Sequence, residues 1–258
     1  MTRLRLPRGI VMLLAAAFWL ALWWLVVVAF GISRDFLPTP LEVLEKIGSL
    51  TIHPIGAGTI WVHAGWSILR FLSGFALAVA VGVPLGLMMG YIAPIRYIVN
   101  PLFELFRYVP PIAWAPFSIL WFGASFGSQT FVIFTAAFPP MLMAAYQGIR
   151  LIDRGLINAA RTLGAGPLTI LFRVGLPAAI PVIVAGLRIG LANAWLALVG
   201  AEIIAGPGAL SGLGFLILVG QQNLQASLTI GAMALIGVIG AVFDYGVRRL
   251  EQRTARWK

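Results

Sequence analysis

A chain of 258 residues that is 60% hydrophobic and only 10% charged cannot present the surface of a soluble domain, where roughly 25% charge is usual. The excess of 18 Lys and Arg over 8 Asp and Glu does not indicate a nucleic-acid partner, because the basic residues flank apolar spans and do not gather on a polar face. With no cysteine, disulfides, thiolate metal sites and cysteine nucleophiles are excluded, and an all-α polytopic membrane protein surrounded by lipid is expected.

Arg3, Arg5 and Arg8 precede an uncharged run from Gly9 to Ser33, long enough to cross a hydrocarbon core of about 30 Å. A signal peptide has the same charge order but an apolar core of only about 7 to 15 residues, so a retained first span, about 10–32, is expected. Residues 34–66 form a mixed outer segment holding His53 and His63, the two histidines. Within it Thr39 caps, and Pro40 opens, a short helix at 41–50. The second span, about 68–92, carries Gly82, Gly86 and Gly90 at four-residue intervals, a stripe that lets another helix approach closely.

The third and fourth spans are expected at about 101–122 and 129–147. Pro110, Pro111 and Pro116 stud the third, and Pro139-Pro140 interrupts the fourth. Helices broken at membrane depth are tolerated where they line a cavity or pack in protein, so both spans are expected to border a path. Glu104 and Arg107, three residues apart, share a helix face near the inner end and read as a local ion pair. Gly123-Ala124-Ser125-Phe126-Gly127 matches the nucleophile pattern of hydrolases. It lies in a tight turn without the strand that the motif requires, so catalysis is not expected there.

Between Gly148 and Pro177, charge returns within sequence that still favours helix. Asp153 is placed to cap a short helix through Leu163, Gly164 to stop it in a left-handed conformation, and Pro167 to open a second helix that Pro177 ends. Two short helices meeting at a glycine make an elbow. A fifth span, about 178–205, and a sixth, about 225–247, follow. An outer turn at Gly206-Pro207-Gly208 and a short re-entrant or surface helix after Ser211-Gly212-Leu213-Gly214 separate them.

Charge sets the topology. Arg3, Arg5, Arg8, Arg96, Arg107, Arg150, Arg154, Arg161, Arg173 and five basic residues of the tail fall on one side; Arg34 and Lys46 fall on the other, with Arg70 at the border. The bias puts both termini and the elbow (148–177) in the cytoplasm. Inside the membrane, Arg188 lies about ten residues, or roughly 15 Å, into the fifth span, and is the best candidate for attracting an anion. A structural pair, or a snorkel to the cytoplasmic headgroups, is the alternative. Glu202 lies on the same side of that helix at another depth, whereas Asn193 and Trp195 point elsewhere on the wheel. Arg188 and Glu202 are the candidate path residues.

No energy source is encoded: the lysines, Lys46 and Lys258, lie in no Gly-x-x-x-x-Gly-Lys loop. Any ATP is therefore expected to be hydrolysed by another chain. A secondary transporter or channel, and an intramembrane hydrolase built on Ser125, are the competing classes.

The elbow carries a recognisable spacing. Asn158-Ala159-Ala160, three residues, Gly164, nine residues, Val174, one residue, then Leu176-Pro177 resembles the EAA loop of ABC-transporter permeases, with Asn158 where that family usually has Glu. Its amide offers hydrogen bonds in place of a charge. The likeness extends over most of the chain, through Phe36-Leu37-Pro38-Thr39-Pro40, Gly82-Val83-Pro84-Leu85-Gly86, the stretch from Arg107 to Pro116, Trp121-Phe122-Gly123 and Gly148-Ile149-Arg150. It is closest to permeases importing nitrate, sulfonates and taurine; Gly186 to Leu191, Trp195 and Ala201-Glu202 look particularly like taurine and sulfonate members.

The resemblance implies a single permease domain over 1–258 with the type I importer fold, six membrane helices and cytoplasmic termini. It implies coupling to the ATPase through Asp153, Asn158, Ala159, Ala160, Arg161, Gly164, Leu176 and Pro177. The implied partners are a second copy of the chain, two cytoplasmic ABC ATPases and a periplasmic binding protein that does much of the selecting. No cofactor is expected in this chain, ATP and Mg being used by the ATPase. Sulfonate or taurine is the first expectation for cargo, with nitrate, bicarbonate or another small solute as the alternative.

Overall fold

The computed structural model describes residues 7–205 and 212–254; Arg3, Arg5, the Gly206-Pro207-Gly208 turn, Ser211, Arg256 and Lys258 lie outside the described residues. Helix α1 (Arg8–Ala29) is apolar all round, and only 6% of its most apolar window is buried. It is the lipid-facing periphery, touching α2 (Pro40–Leu50) near its outer end. Helix α2 starts as its sequence demands: the Glu42 amide donates to the Thr39 hydroxyl and the Thr39 amide to the Glu42 carboxylate at 2.8 Å. That bond from the Thr39 amide, with Arg34 at 2.9 Å, holds the Glu42 carboxyl below its usual value.

Helices α3 (Ile60–Tyr91), α6 (Phe126–Arg150) and α9 (Leu176–Ala205) form the packed centre. The glycine stripe is why. A Cβ at Gly90 would lie 2.8 Å from the Ile149 Cβ, and one at Gly86 would collide with the Leu142 carbonyl oxygen. The two backbones approach along a line where side chains are absent. Phe71, Ile133, Leu191, Trp195 and Leu198 fill the middle of this slab, with the Trp195 indole donating to the Ile236 carbonyl at 3.1 Å. Helix α3 starts eight residues before the span expected at 68–92, because its first turns carry His63, Ser67 and Arg70 on a buried face.

The third expected span, 101–122, is not one helix. Helix α4 (Ala93–Arg107) follows α3 after a single residue, and α5 begins as a 3-10 turn at Pro111–Trp114 that continues as Ala115–Phe122. Pro110 and Pro111 supply no amide N–H, and the residue before each proline is driven out of the helical region. The crossing is therefore made in two pieces. Among the described residues five helices are long and apolar enough to span, and α4 with α5 provides the sixth crossing. Helix α6, in contrast, runs unbroken through Pro139 and Pro140, being held on two sides by α3 and α9.

The elbow comprises α7 (Arg154–Thr162) and α8 (Pro167–Ile170). Pro177 does not end the helix that Pro167 opens, as its sequence position suggested. Leu171–Gly175 form a wide π turn in which the Leu176 amide reaches the Leu171 carbonyl, and helix continues from Pro167 to Ala205. The extra residue in that turn accommodates a proline ring that cannot donate to the usual carbonyl four residues back. Helix α10 (Leu213–Gln222) and α11 (Ala226–Thr254) complete the fold.

Candidate functional site

The elbow is a solvent-facing projection. The Asp153 carboxylate accepts from the Gly155 amide at 2.8 Å, so the helix start is capped by its own side chain. At the other end Gly164 has φ +77°, the Gly164 amide donates to the Arg161 carbonyl and the Ala165 amide to the Ala160 carbonyl. These two bonds form a Schellman stop, which favours a residue without a Cβ in the left-handed position. No residue of α7 is buried. Asn158, Ala159 and Arg161 are exposed and Ala160 is half-buried, while Leu156 and Leu163 present 55% and 87% of their surface. Leu176 and Pro177 lie beyond the π turn, at the root of the projection.

That root is seated firmly. Ala145, Ile149, Ala179 and Ile183 pack with Tyr91, Ile152, Leu171 and Leu176 at the inner ends of α3, α6 and α9. The Tyr91 hydroxyl donates to the Pro167 carbonyl at 2.8 Å. Helix α7 joins this seat through α8 and the π turn.

Arg188 and Glu202 are not brought together. The Arg188 guanidinium donates from Nε to Asp244 at 2.9 Å and from Nη1 to Glu251 at 3.5 Å, and Arg248 bonds the other Asp244 oxygen at 2.6 Å. Glu202, expected along an open path, is instead 1% exposed. Its carboxylate accepts from Arg70 Nη1 at 3.0 Å, from the Ser67 hydroxyl at 2.8 Å and from the Gly214 amide at 2.8 Å. The Ser67 oxygen accepts from the Leu213 amide, and His63 Nδ1 accepts from the Gly212 amide, both at 2.9 Å. His63 Nε2 lies 2.8 Å from the Ile55 carbonyl, so the ring is the Nε2–H tautomer. Three successive amides at the start of α10, which no helical carbonyl can satisfy, are thus met by side chains of α3 and α9.

Ser67, Arg70 and His63 were not singled out from sequence as a functional group. Their spacing of four and three residues, which puts them on one helix face, was the signal available.

Glu104 and Arg107 form the expected ion pair, at 2.8 Å, but not near the inner end. Phe103 and Phe106 pack their rings 6.3 and 5.8 Å from Phe138, which stands twelve residues from either end of α6. The pair is level with the middle of α6, because α4 begins its ascent at Ala93. Ser125, at the start of α6, donates its hydroxyl to the Phe122 carbonyl at 2.9 Å. Neither histidine is among its hydrogen-bond partners.

Residues 82–256 match the family model described as binding-protein-dependent transport system inner membrane component. The chain is 39% identical over 241 residues to the taurine transport system permease protein TauC of Escherichia coli, covering 92% of this chain and 86% of that one. It is 31% identical over 252 residues to the bicarbonate transport system permease protein CmpB of Synechococcus elongatus, covering 95% and 89%. Among solved structures, an inward-facing form of the MetNI methionine ABC transporter superposes with a TM-score of 0.64 at 20% identity, covering 76% of this chain and 98% of that one.

Proposed function

Because the chain belongs to the family of binding-protein-dependent transport system inner membrane components, the inner-membrane permeases of ABC importers, we propose that it carries a small sulfonate-type anion such as taurine. The assembly is two copies of this chain, two cytoplasmic ABC ATPases docked on the elbows and a periplasmic binding protein. The chain has no ATPase site of its own and no cofactor; ATP and Mg are consumed by the partner. The observation that carries this reading is the elbow itself, capped at both ends, exposed along α7 and seated on the inner ends of α3, α6 and α9. ATP closes the ATPase pair, the elbows follow, and the helices shift between outward-open and inward-open states. ATP acts only through its preference for one of them.

Asp153, Asn158, Ala159, Ala160, Arg161 and Gly164 form the docking element, and Leu176 and Pro177 join it to the span. The likeness to TauC favours taurine, and that to CmpB makes bicarbonate the second reading. The test is uptake of labelled taurine and bicarbonate by proteoliposomes holding the permease, its ATPase and its loaded binding protein, with and without Gly164→Val. A β-branched residue at φ +77° strains the stop, and loss of ATP-driven uptake in a complex that still assembles is the expected result. Undiminished uptake by Gly164→Val would remove the elbow as the coupling element. Ion-driven uptake by the permease alone would replace the reading with a secondary transporter.

A further inference from the structure

We propose that Arg107 holds the anionic head of the cargo in a midplane cavity formed where the third crossing breaks. The inference rests on the importer reading for its cargo, but the site stands on its own geometry. The Tyr108–Pro110 break separates α4 from α5 at the level of Phe138. Beside this break Arg107, Tyr108, Pro139, Pro140 and Met143 line an open cavity of about 330 Å³. Pro111, Ile112, Asn193, Leu196 and Ala197 line a second open cavity of about 360 Å³. Each is of the size that small-molecule sites occupy.

Lipid cannot occupy this face without cost. An ion pair 33% and 37% exposed and an interrupted backbone at the same depth both require water or protein around them. The lipid-facing surface of this molecule looks different: α1 carries no charge after Arg8.

The chemistry of the pair suits a passing anion. Glu104 takes Arg107 Nε at 2.8 Å and the Tyr108 hydroxyl takes Nη2 at 3.0 Å. Among the described residues Nη1 has no hydrogen-bond acceptor, so a planar fork of donors is available to a sulfonate or other oxyanion. Glu104 competes for the same guanidinium, which keeps occupancy weak enough for release, as conduction requires. Arg188 differs in facing two carboxylates of α11, Asp244 and Glu251.

The chain has no cysteine, so an introduced Met143→Cys, on the lining that it shares with Arg107, reports on this cavity. Its rate of labelling is measured in the assembled transporter with a sulfonatoethyl methanethiosulfonate and with the trimethylammonium analogue, each normalised to a free thiol, in every nucleotide state. The expected result is faster labelling by the sulfonate reagent, a preference that falls about tenfold with Arg107→Gln, persists with Arg107→Lys and rises with Glu104→Gln. Leu163→Cys, on the elbow, checks in each background that the complex is folded and reachable. A charge preference indifferent to Arg107→Gln, or a Met143→Cys unreactive in all states while Leu163→Cys reacts, overturns the proposal. Taurine uptake separates the two readings: its absence with the Arg107-dependent preference intact removes the sulfonate cargo and leaves an anion site. Its presence without that preference removes the site and leaves the cargo.

Discussion

Two ion pairs of this protein have the same chemistry and opposite surroundings. Arg70 and Glu202 are 3% and 1% exposed, joined across helices 132 residues apart in sequence, with α10 built onto the carboxylate. Glu104 and Arg107 are local, a third exposed, and sit beside a break in the backbone. The first pair is surrounded by groups that each need it, so any change strands a partner. The second can trade one member for a visiting anion with little consequence for the fold. Charge inside a membrane protein is thus structural or available according to how many other groups depend on it.

The contrast is broken most sharply at Glu202. Glu202→Ala leaves Arg70 charged and buried, and thermal unfolding in detergent is expected to show about 3–5 kcal/mol of destabilisation; less than about 1 would mean that the pocket hydrates and the distinction fails. Ser67→Ala, which strands the Leu213 amide, is expected to cost about 1–3 kcal/mol in the same measurement. Asp153→Ala, by removing the cap of α7, should cost about 1 kcal/mol locally and show as faster amide exchange confined to 154–158. Arg107→Gln should lie at the bottom of the stability scale, within about 1 kcal/mol of the parent, while lowering kcat/KM for anion uptake about tenfold. A large stability loss there would place Arg107 with Arg70.

Local features were legible in the sequence. The caps at Thr39 and Asp153, the left-handed Gly164 and the stripe from Gly82 to Gly90 each depend on residues within a turn or two of one another, and the EAA-like spacing carried the elbow and the family with it. The Arg70–Glu202 network was not legible, because no spacing links residues 132 apart, and Arg70 read as a topology marker at a span border. Arg107 was misplaced in depth for a related reason. With Arg96 and Glu104 before it, α4 has the charge density of a cytoplasmic connection, and only its packing on Phe138 shows that it climbs. At Pro177 a proline looked like a stop, and a wide turn absorbed it.

The stripe of glycines on α3 has a mechanical consequence. With the Leu142 carbonyl lodged where a methyl group would be on Gly86, and Ile149 lodged likewise on Gly90, α3 and α6 are keyed like a tongue in a slot. Neither can slip a ridge past the other without climbing out of the notch. Any motion that preserves these notches carries α3 and α6 together.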